Sequence, residues 1–404
     1  MDESPVRSAG NRGLDGSRSG MDMSSEEEYP NRLAPVFAQY PMDVVDAEGV
    51  WLHTSDGRKI LDLYGGHAVA ALGYKHPGWT RAITKQAMEC NFQSNAVPMA
   101  VRVRAAANLV RFAGDYFDSV FFVNSGAEAN ENALRMAFRV TRRTGVVAVE
   151  GSFHGRTAAA GAVTWGAAQK WYEFPRMPFA ASFIPRGKID AIPIKIDRNT
   201  AAVIVEPVQG VGGAYDMGAK FLEALRKRCN EVGAMLIFDE VQIGMGRSGW
   251  PFAANLYTLM PDMLTTAKAL GNGFPCGALL MSPHVTNALK MEGLGTTFGG
   301  GPMACAAIEA TIAAIETENL MDNVRRVSEY LRETCTVGPV GGHQGRGFLH
   351  GLRMVRPAKD IQQELLKRDI LVGTSADPFV LRLLPPYILK EEHVDILRDA
   401  LKEI

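Results

Sequence analysis

The spacing of apolar and polar positions changes twice along the chain. Over 44–72, apolar residues alternate in short stretches broken by Glu48-Gly49 and Ser55-Asp56-Gly57, a pattern of short strands and turns. Residues 77–90 and 101–112 predict two amphipathic helices. Beyond them strand and helix patterns alternate. Residues 120–123, 146–149, 202–205 and 235–238 are apolar without polar alternation, as in strands covered on both faces. Residues 263–267 and 278–281 are shorter strand candidates, and 127–142 and 221–232 predict helices. This order predicts an α/β fold with a mostly parallel sheet. Two further helices are expected over 305–318 and 322–335. Strand patterns at 348–354 and 379–383, with helix patterns at 361–368 and 391–401, then predict a smaller α+β domain. The N-terminal strands are expected to join its sheet. The division expected is a disordered polar leader over 1–28, an N-terminal segment over 29–72 packing with the small domain, a large domain over 73–314 and the small domain over 315–404.

Composition narrows the partners. Of 404 residues, 47% are hydrophobic and 22% charged, as in an ordinary chain with a large core. Lys and Arg total 43 against 44 Asp and Glu, a net charge of -1. That balance excludes a strongly basic nucleic-acid binder and gives no attraction to anionic lipid. No apolar run approaches the ~20 residues of a membrane span. The cysteines (Cys90, Cys229, Cys276, Cys305 and Cys335) lack metal-ligand spacing, and the N-terminus lacks an apolar signal core. A reduced, cytoplasmic protein with no nucleic-acid or membrane partner is expected.

Four charged residues stand directly after three apolar runs. Glu206 follows 202–205, Asp239 and Glu240 follow 235–238, and Lys268 follows 263–267. In open α/β sheets ligands sit outside the carboxyl ends of the strands, so these residues are expected around one crevice. Each one alone also reads as a strand-end charge facing solvent. Lys268, between an apolar strand and the Gly-rich turn of TTAKALGNGFPCGALL, has the setting of a desolvated nucleophilic amine able to condense with an aldehyde. Asp239 needs a cationic partner, which a protonated pyridine nitrogen supplies. Ser125-Gly126-Ala127 lies between a strand and a helix, where free N–H groups can hold a phosphate; an ordinary helix cap fits it too. In GSFHGR, Phe153 can cover an aromatic ring, and His154 is a polar neighbour, a general base or a structural histidine. Arg156 can pair with a carboxylate.

Seven stretches carry a resemblance: LDLYGGHAVAALGYKHP, FFVNSGAEANENALRMA, GSFHGRT, VEPVQGVGG, LIFDEVQIGMGRSG, AKALGNGFPCGALL and TTFGGGPMACAAI. In order and spacing the chain resembles the class III (ornithine/acetylornithine-type) pyridoxal-phosphate aminotransferases of fold type I, from about Tyr40 to Ile404. The resemblance implies pyridoxal 5'-phosphate as cofactor, held by Lys268, with Asp239 on its pyridine nitrogen and Gln242 on its phenolic oxygen. It implies Ser125, Gly126 and Ala127 as the phosphate loop, Phe153 against the ring, and Glu206 as support for Asp239 and Gln242. Thr297 would give a phosphate contact across the interface of a homodimer. Arg156 and Arg382 would take substrate carboxylates.

Three positions depart from the family pattern: Ala127 stands where many members carry Thr, Gly301-Pro302 alters the usual NP, and Val211 replaces the Glu that follows QG. That Glu can pair with the C-terminal arginine, so Val211 is expected to leave Arg382 ungated. The resemblance implies transamination in two halves, with Lys268 as general acid–base and 2-oxoglutarate as acceptor. N-acetylornithine or a similar acylated diamino acid is the implied donor, in amino-acid biosynthesis. An aminotransferase for another ω- or β-amino acid, a racemase of the same family, and a non-catalytic binding protein are the alternatives.

Overall fold

A computed structural model describes residues 32–404, so the expected leader lies outside the described residues. The chain divides into two units, Met1–Asp43 and Val44–Ile404. In the first, residues 32–43 form no helix or strand.

The second unit opens with an antiparallel meander of β1 (Val44–Glu48), β2 (Trp51–Thr54) and β3 (Lys59–Asp62). Helices α1 (Pro77–Glu89) and α2 (Ala100–Phe112) follow. The main sheet begins with β4 (Ser119–Val123), followed by helix α3 (Gly126–Thr141), then β5 (Gly145–Val149), β6 (Ala180–Ile184) and β7 (Thr200–Val205). A small antiparallel ribbon, β8 (Val208–Gln209) and β9 (Tyr215–Asp216), precedes α4 (Ala219–Val232). The sheet is completed by β10 (Met235–Asp239), β11 (Met263–Thr266) and β12 (Gly277–Met281). Its order is β4-β12-β11-β10-β7-β5-β6. Only β12 runs against its neighbours, so the sheet is mostly parallel, as the alternation predicts. Helices α5 (Pro302–Thr317) and α6 (Leu320–Thr334) lead to β13 (Val340–Arg346), β14 (Leu349–Met354), α7 (Ala358–Leu366), β15 (Ile370–Leu371), β16 (Val380–Leu383) and α8 (Glu391–Lys402).

The missing polar alternation has a direct cause. Every residue of β7 and β10 is buried. On one face, Ala202, Ile204, Met235 and Ile237 pack with Ala133, Leu134 and Met136 of α3. On the other, Val203, Val205, Leu236 and Phe238 pack with Phe221, Leu222 and Leu225 of α4. Each large apolar side chain buried this way contributes about 1.5–3 kcal/mol.

The N-terminal strands do not enter the β13-β14-β16 sheet. They recruit β15 instead, which runs parallel to β3. Five strands, β6, β8, β9, β13 and β15, match no strand expected from the sequence. The edge strand β6 is half exposed, and β13 carries three glycines within seven residues. Among the described residues no helix is long and apolar enough to cross a membrane.

Candidate active site

The strands β4, β5, β7, β10 and β11 point the same way, so the loops after them leave the sheet together. There they enclose a cavity of about 490 Å³. Ser125, Gly126, Ala127, Phe153, Arg156, Glu206, Asp239, Gln242 and Lys268 all line it, with Asn130, His154, Val211 and Val241. Thr297 and Arg382 do not. Thr297 is exposed on the surface, and Arg382 is buried behind Gln242. A larger cleft of about 740 Å³ lies among α1, α2 and α5, but opposed charges such as Arg104 and Glu309, 3.0 Å apart, line it.

Glu240 corrects the expected crevice. Successive residues near a strand end point to opposite sides, so Asp239 and Glu240 cannot share one. Asp239 is the last residue of β10 and faces the cavity. Glu240 is buried away from it, accepting the N–H groups of Ala253 and Ala254 at 2.5 and 2.8 Å. Burial pushes its carboxyl up to about 8.

Three donors fix the Asp239 carboxylate. His154 Nδ1 and Asn130 Nδ2 both donate to Oδ2 at 2.7 Å, and the Val241 N–H donates to Oδ1 at 3.0 Å. Asn130 is tied in turn to Thr265, whose hydroxyl donates to its Oδ1 at 2.7 Å. Asn130 was not among the residues expected at the site. Its one signal was a polar residue among the buried alanines of α3.

The Glu206 carboxylate accepts from the backbone N–H groups of Phe153 at 2.9 Å and Gly210 at 3.1 Å, and no hydrogen bond joins it to Asp239 or Gln242 among the described residues. Burial pushes its pKa up to about 7, against the pull of His154. It therefore fixes the backbone of two cavity loops.

Lys268 follows β11 in left-handed backbone conformation, φ 49°. Such a conformation costs a non-glycine residue roughly 1–2 kcal/mol, and strain of this kind collects at functional sites. Among the described residues its amine has no hydrogen-bond partner. Burial lowers its pKa, while the negative charges of Asp239 and Glu206 raise it. A desolvated, unpaired amine is a nucleophile.

At the start of α3, Ser125 Oγ accepts the Glu128 N–H at 3.2 Å, and the Glu128 carboxylate accepts the Asn124 N–H at 2.6 Å. The N–H groups of Gly126 and Ala127, the first helical residues, have no intrahelical acceptor. They give this end of the cavity an anion site. Ala127 is matched to its surroundings, because a Cβ on Gly155 would lie 2.7 Å from its own Cβ. Arg156 is exposed at the mouth, its guanidinium 4.8 Å from the Trp171 ring centre.

The sequence profile of the class-III aminotransferases matches residues 34–404. The chain belongs to that family. It is 36% identical to the acetylornithine aminotransferase of Methanocaldococcus jannaschii over 91% of this chain and 94% of that one. It is 37% identical to that of Streptomyces coelicolor over 95% and 96%. The ornithine aminotransferase of Toxoplasma gondii superposes with a TM-score of 0.85 at 25% identity, over 92% of each chain. The acetylornithine aminotransferase of Elizabethkingia anophelis superposes with 0.82 at 26% identity, over 92% of this chain and 96% of that one. The chain is thus a pyridoxal-phosphate-dependent aminotransferase of fold type I.

The cavity fits that cofactor. An aldehyde needs an amine, a phosphate needs N–H donors, a protonated pyridine needs a carboxylate, and the ring needs apolar faces. Lys268, the α3 start, Asp239, and Phe153 with Val241 offer these in turn. Gly126 keeps the cradle open: a Cβ there would lie 2.7 and 2.8 Å from the methyls of Val241. Gly126→Ala is expected to raise the Kd for pyridoxal phosphate at least about fivefold, since overpacking costs about 1–3 kcal/mol. Fluorescence titration of the apoenzyme checks this; an unchanged Kd would remove the close packing at Gly126.

Proposed function

We propose that this aminotransferase moves the terminal amine of an N-acylated diamino acid of the acetylornithine type to 2-oxoglutarate, working as a homodimer. The observation that carries the reading is the meeting of Lys268, Asp239 and the α3 N-terminus on one cavity, with one arginine at its mouth and another behind Gln242. A dicarboxylic acceptor asks for two cations. Relatives named acetylornithine aminotransferase align over nearly the whole chain, which supports the donor.

In this reading Lys268 holds the cofactor and later takes the proton from the substrate carbon bearing the reacting amine. The pyridoxal group, when bound, supplies an aldehyde and an electron-withdrawing ring. Asp239 supplies the negative charge opposite the ring nitrogen, fixed by His154, Asn130 and the Val241 amide. The N–H groups at Gly126 and Ala127, with Ser125, hold the phosphate. Phe153 would cover the ring, Gln242 would reach its phenolic oxygen, and Glu206 holds the loops at Phe153 and Gly210. Arg156 takes the donor carboxylate, and Arg382 the α-carboxylate of the acceptor. Thr297, exposed beside the 65% exposed Phe298, serves the partner's cavity.

Val211 favours a second reading, a less polar donor than acetylornithine, because it gives the cavity an apolar wall where the family carries Glu. A donor panel with 2-oxoglutarate, read by glutamate formation, separates the two. Acylated ornithines are expected to outrank free ornithine and 4-aminobutyrate in kcat/KM. Equal or faster turnover of 4-aminobutyrate would overturn the donor, and racemisation without glutamate would overturn transamination. Val211→Glu is expected to shift relative kcat/KM toward free ω-amino acids, and unchanged ratios would remove Val211 from donor selection.

A further inference from the structure

Arg382 was expected to be ungated once Val211 replaced the family glutamate. The structure shows instead a set of groups that hold it. Its Nε donates to Thr374 O at 2.7 Å, one Nη donates to Gln242 Oε1 at 3.4 Å, and the other donates to Tyr64 Oη at 3.1 Å. The guanidinium also lies 5.7 Å from the Tyr64 ring centre, within reach of a cation–π interaction.

Tyr64 is itself fixed on every side. Its hydroxyl meets His67 Nδ1 at 2.7 Å. Because Oη accepts from Arg382, its own proton points to His67, which must present Nδ1 as the acceptor. Burial, followed by the charges of Arg382 and Lys268, lowers the pKa of His67 and favours the neutral ring this bond needs. The backbone beneath is a single left-handed turn: Gly65, Gly66, His67 and Ala68 have φ of 55°, 56°, 64° and 71°. Asp62 Oδ1 anchors that turn by accepting the N–H groups of Tyr64 and Gly65, both at 2.8 Å. Across from the ring stands Gly373, where a Cβ would fall 1.9 Å from the Tyr64 edge. The bare backbone of Gly373, paired to Arg382 on β16, is what lets the phenol approach the guanidinium. The same segment reaches the cavity wall, because the Ala376 N–H donates to Val211 O at 2.8 Å. His67 O, finally, accepts from Gln242 Nε2 at 3.4 Å, closing a circuit of His67, Tyr64, Arg382 and Gln242.

We propose that Tyr64, oriented by His67, is a positioning residue that aims the Arg382 guanidinium at a substrate carboxylate. The inference deepens the proposed transamination and rests on its assignment of Arg382. Tyr64, Gln242 and Thr374 present uncharged acceptors. A carboxylate makes a stronger, charge-assisted and bidentate bond, so an arriving substrate replaces Gln242 at small cost and uses the second hydrogen of the other Nη, while Tyr64 keeps its own bond and goes on fixing the guanidinium plane. When the donor brings no carboxylate to this point, the phenol keeps the guanidinium in place. Tyr64 thereby does with a hydroxyl the holding that a glutamate at position 211 would do with a charge. A dicarboxylate with the spacing of 2-oxoglutarate is the ligand whose binding depends on it most.

The test is calorimetric titration of the pyridoxal-phosphate-loaded enzyme with glutarate, an unreactive dicarboxylate of the same length. Tyr64→Phe is expected to weaken binding about tenfold, the loss of one hydrogen bond to a charged group. His67→Asn, which tolerates the left-handed turn but withdraws the imidazole, is expected to weaken it about threefold or more. Arg382→Lys should weaken it further, since a lysine cannot make the bidentate pair. In turnover, the KM for 2-oxoglutarate should rise more than kcat falls in both Tyr64 and His67 variants. Wild-type glutarate affinity in Tyr64→Phe and His67→Asn, with Arg382→Lys still weakened, would overturn the role of Tyr64 and leave transamination standing. Wild-type affinity in Arg382→Lys would remove the assignment of Arg382 itself. Thermal melting of each variant accompanies the titration, and His67→Asn carries the test if Tyr64→Phe is unfolded.

Discussion

Lys268→Ala is expected to lower turnover by about 10²–10⁴-fold, the range over which a positioned acid–base group acts. The residue is placed for that loss. It stands at the end of β11, half-buried, in a strained left-handed conformation, with no hydrogen-bond partner for its amine among the described residues. Burial disfavours its charged form, so the amine is poised to donate electrons or take a proton. Arginine keeps the charge and the length of the side chain but is not a nucleophile, so Lys268→Arg should be as inactive as the alanine variant. Small primary amines added to Lys268→Ala should restore part of the rate, because they can enter the space the side chain leaves. Turnover within tenfold of wild type in Lys268→Ala would contradict the role.

Asp239→Asn is expected to lower kcat by about 10²–10³-fold, the usual cost of removing one preorganised electrostatic partner. The change alters few atoms but removes the negative charge. It also disturbs the surroundings, because His154 Nδ1 and Asn130 Nδ2 both donate to the same Asp239 oxygen. An amide nitrogen at that place would face two donors with a third. If it turns its oxygen there instead, its nitrogen faces the Val241 N–H. Either way at least one buried polar group loses its partner, at a cost of about 1–3 kcal/mol each. Asp239→Glu keeps the charge and should recover part of kcat if charge is what matters. Steady-state kinetics at saturating cofactor checks the series; a kcat for Asp239→Asn within a few-fold of wild type would contradict the electrostatic role.

Much of this site could be read along the chain because its charges end apolar runs. The runs before Glu206, Asp239 and Lys268 lie in a sheet covered by helices on both faces, so a charge at their ends has few places to go except the crevice. The same rule overreached at Glu240, which follows Asp239 but serves the backbone of Ala253 and Ala254 on the other side. Strand alternation allows only one of the two into the crevice and does not say which.

What stayed hidden depends on distant segments meeting. Tyr64 and Arg382 are 318 positions apart, and their contact needs both the left-handed Gly65–Ala68 turn and the missing side chain of Gly373. Asn130 reads as an ordinary polar helix position until β10 brings Asp239 to it. Likewise β15 is two residues long, too short to show a period, so its pairing with β3 left no trace in the sequence.

The most direct test is to reduce the pyridoxal-phosphate-loaded enzyme with borohydride, digest it and find the labelled lysine by mass spectrometry. A phosphopyridoxyl group on the peptide containing Lys268, absent from Lys268→Ala, is the result this account predicts. A label on a different lysine, or protein that takes up the cofactor and yields no labelled peptide, would contradict it.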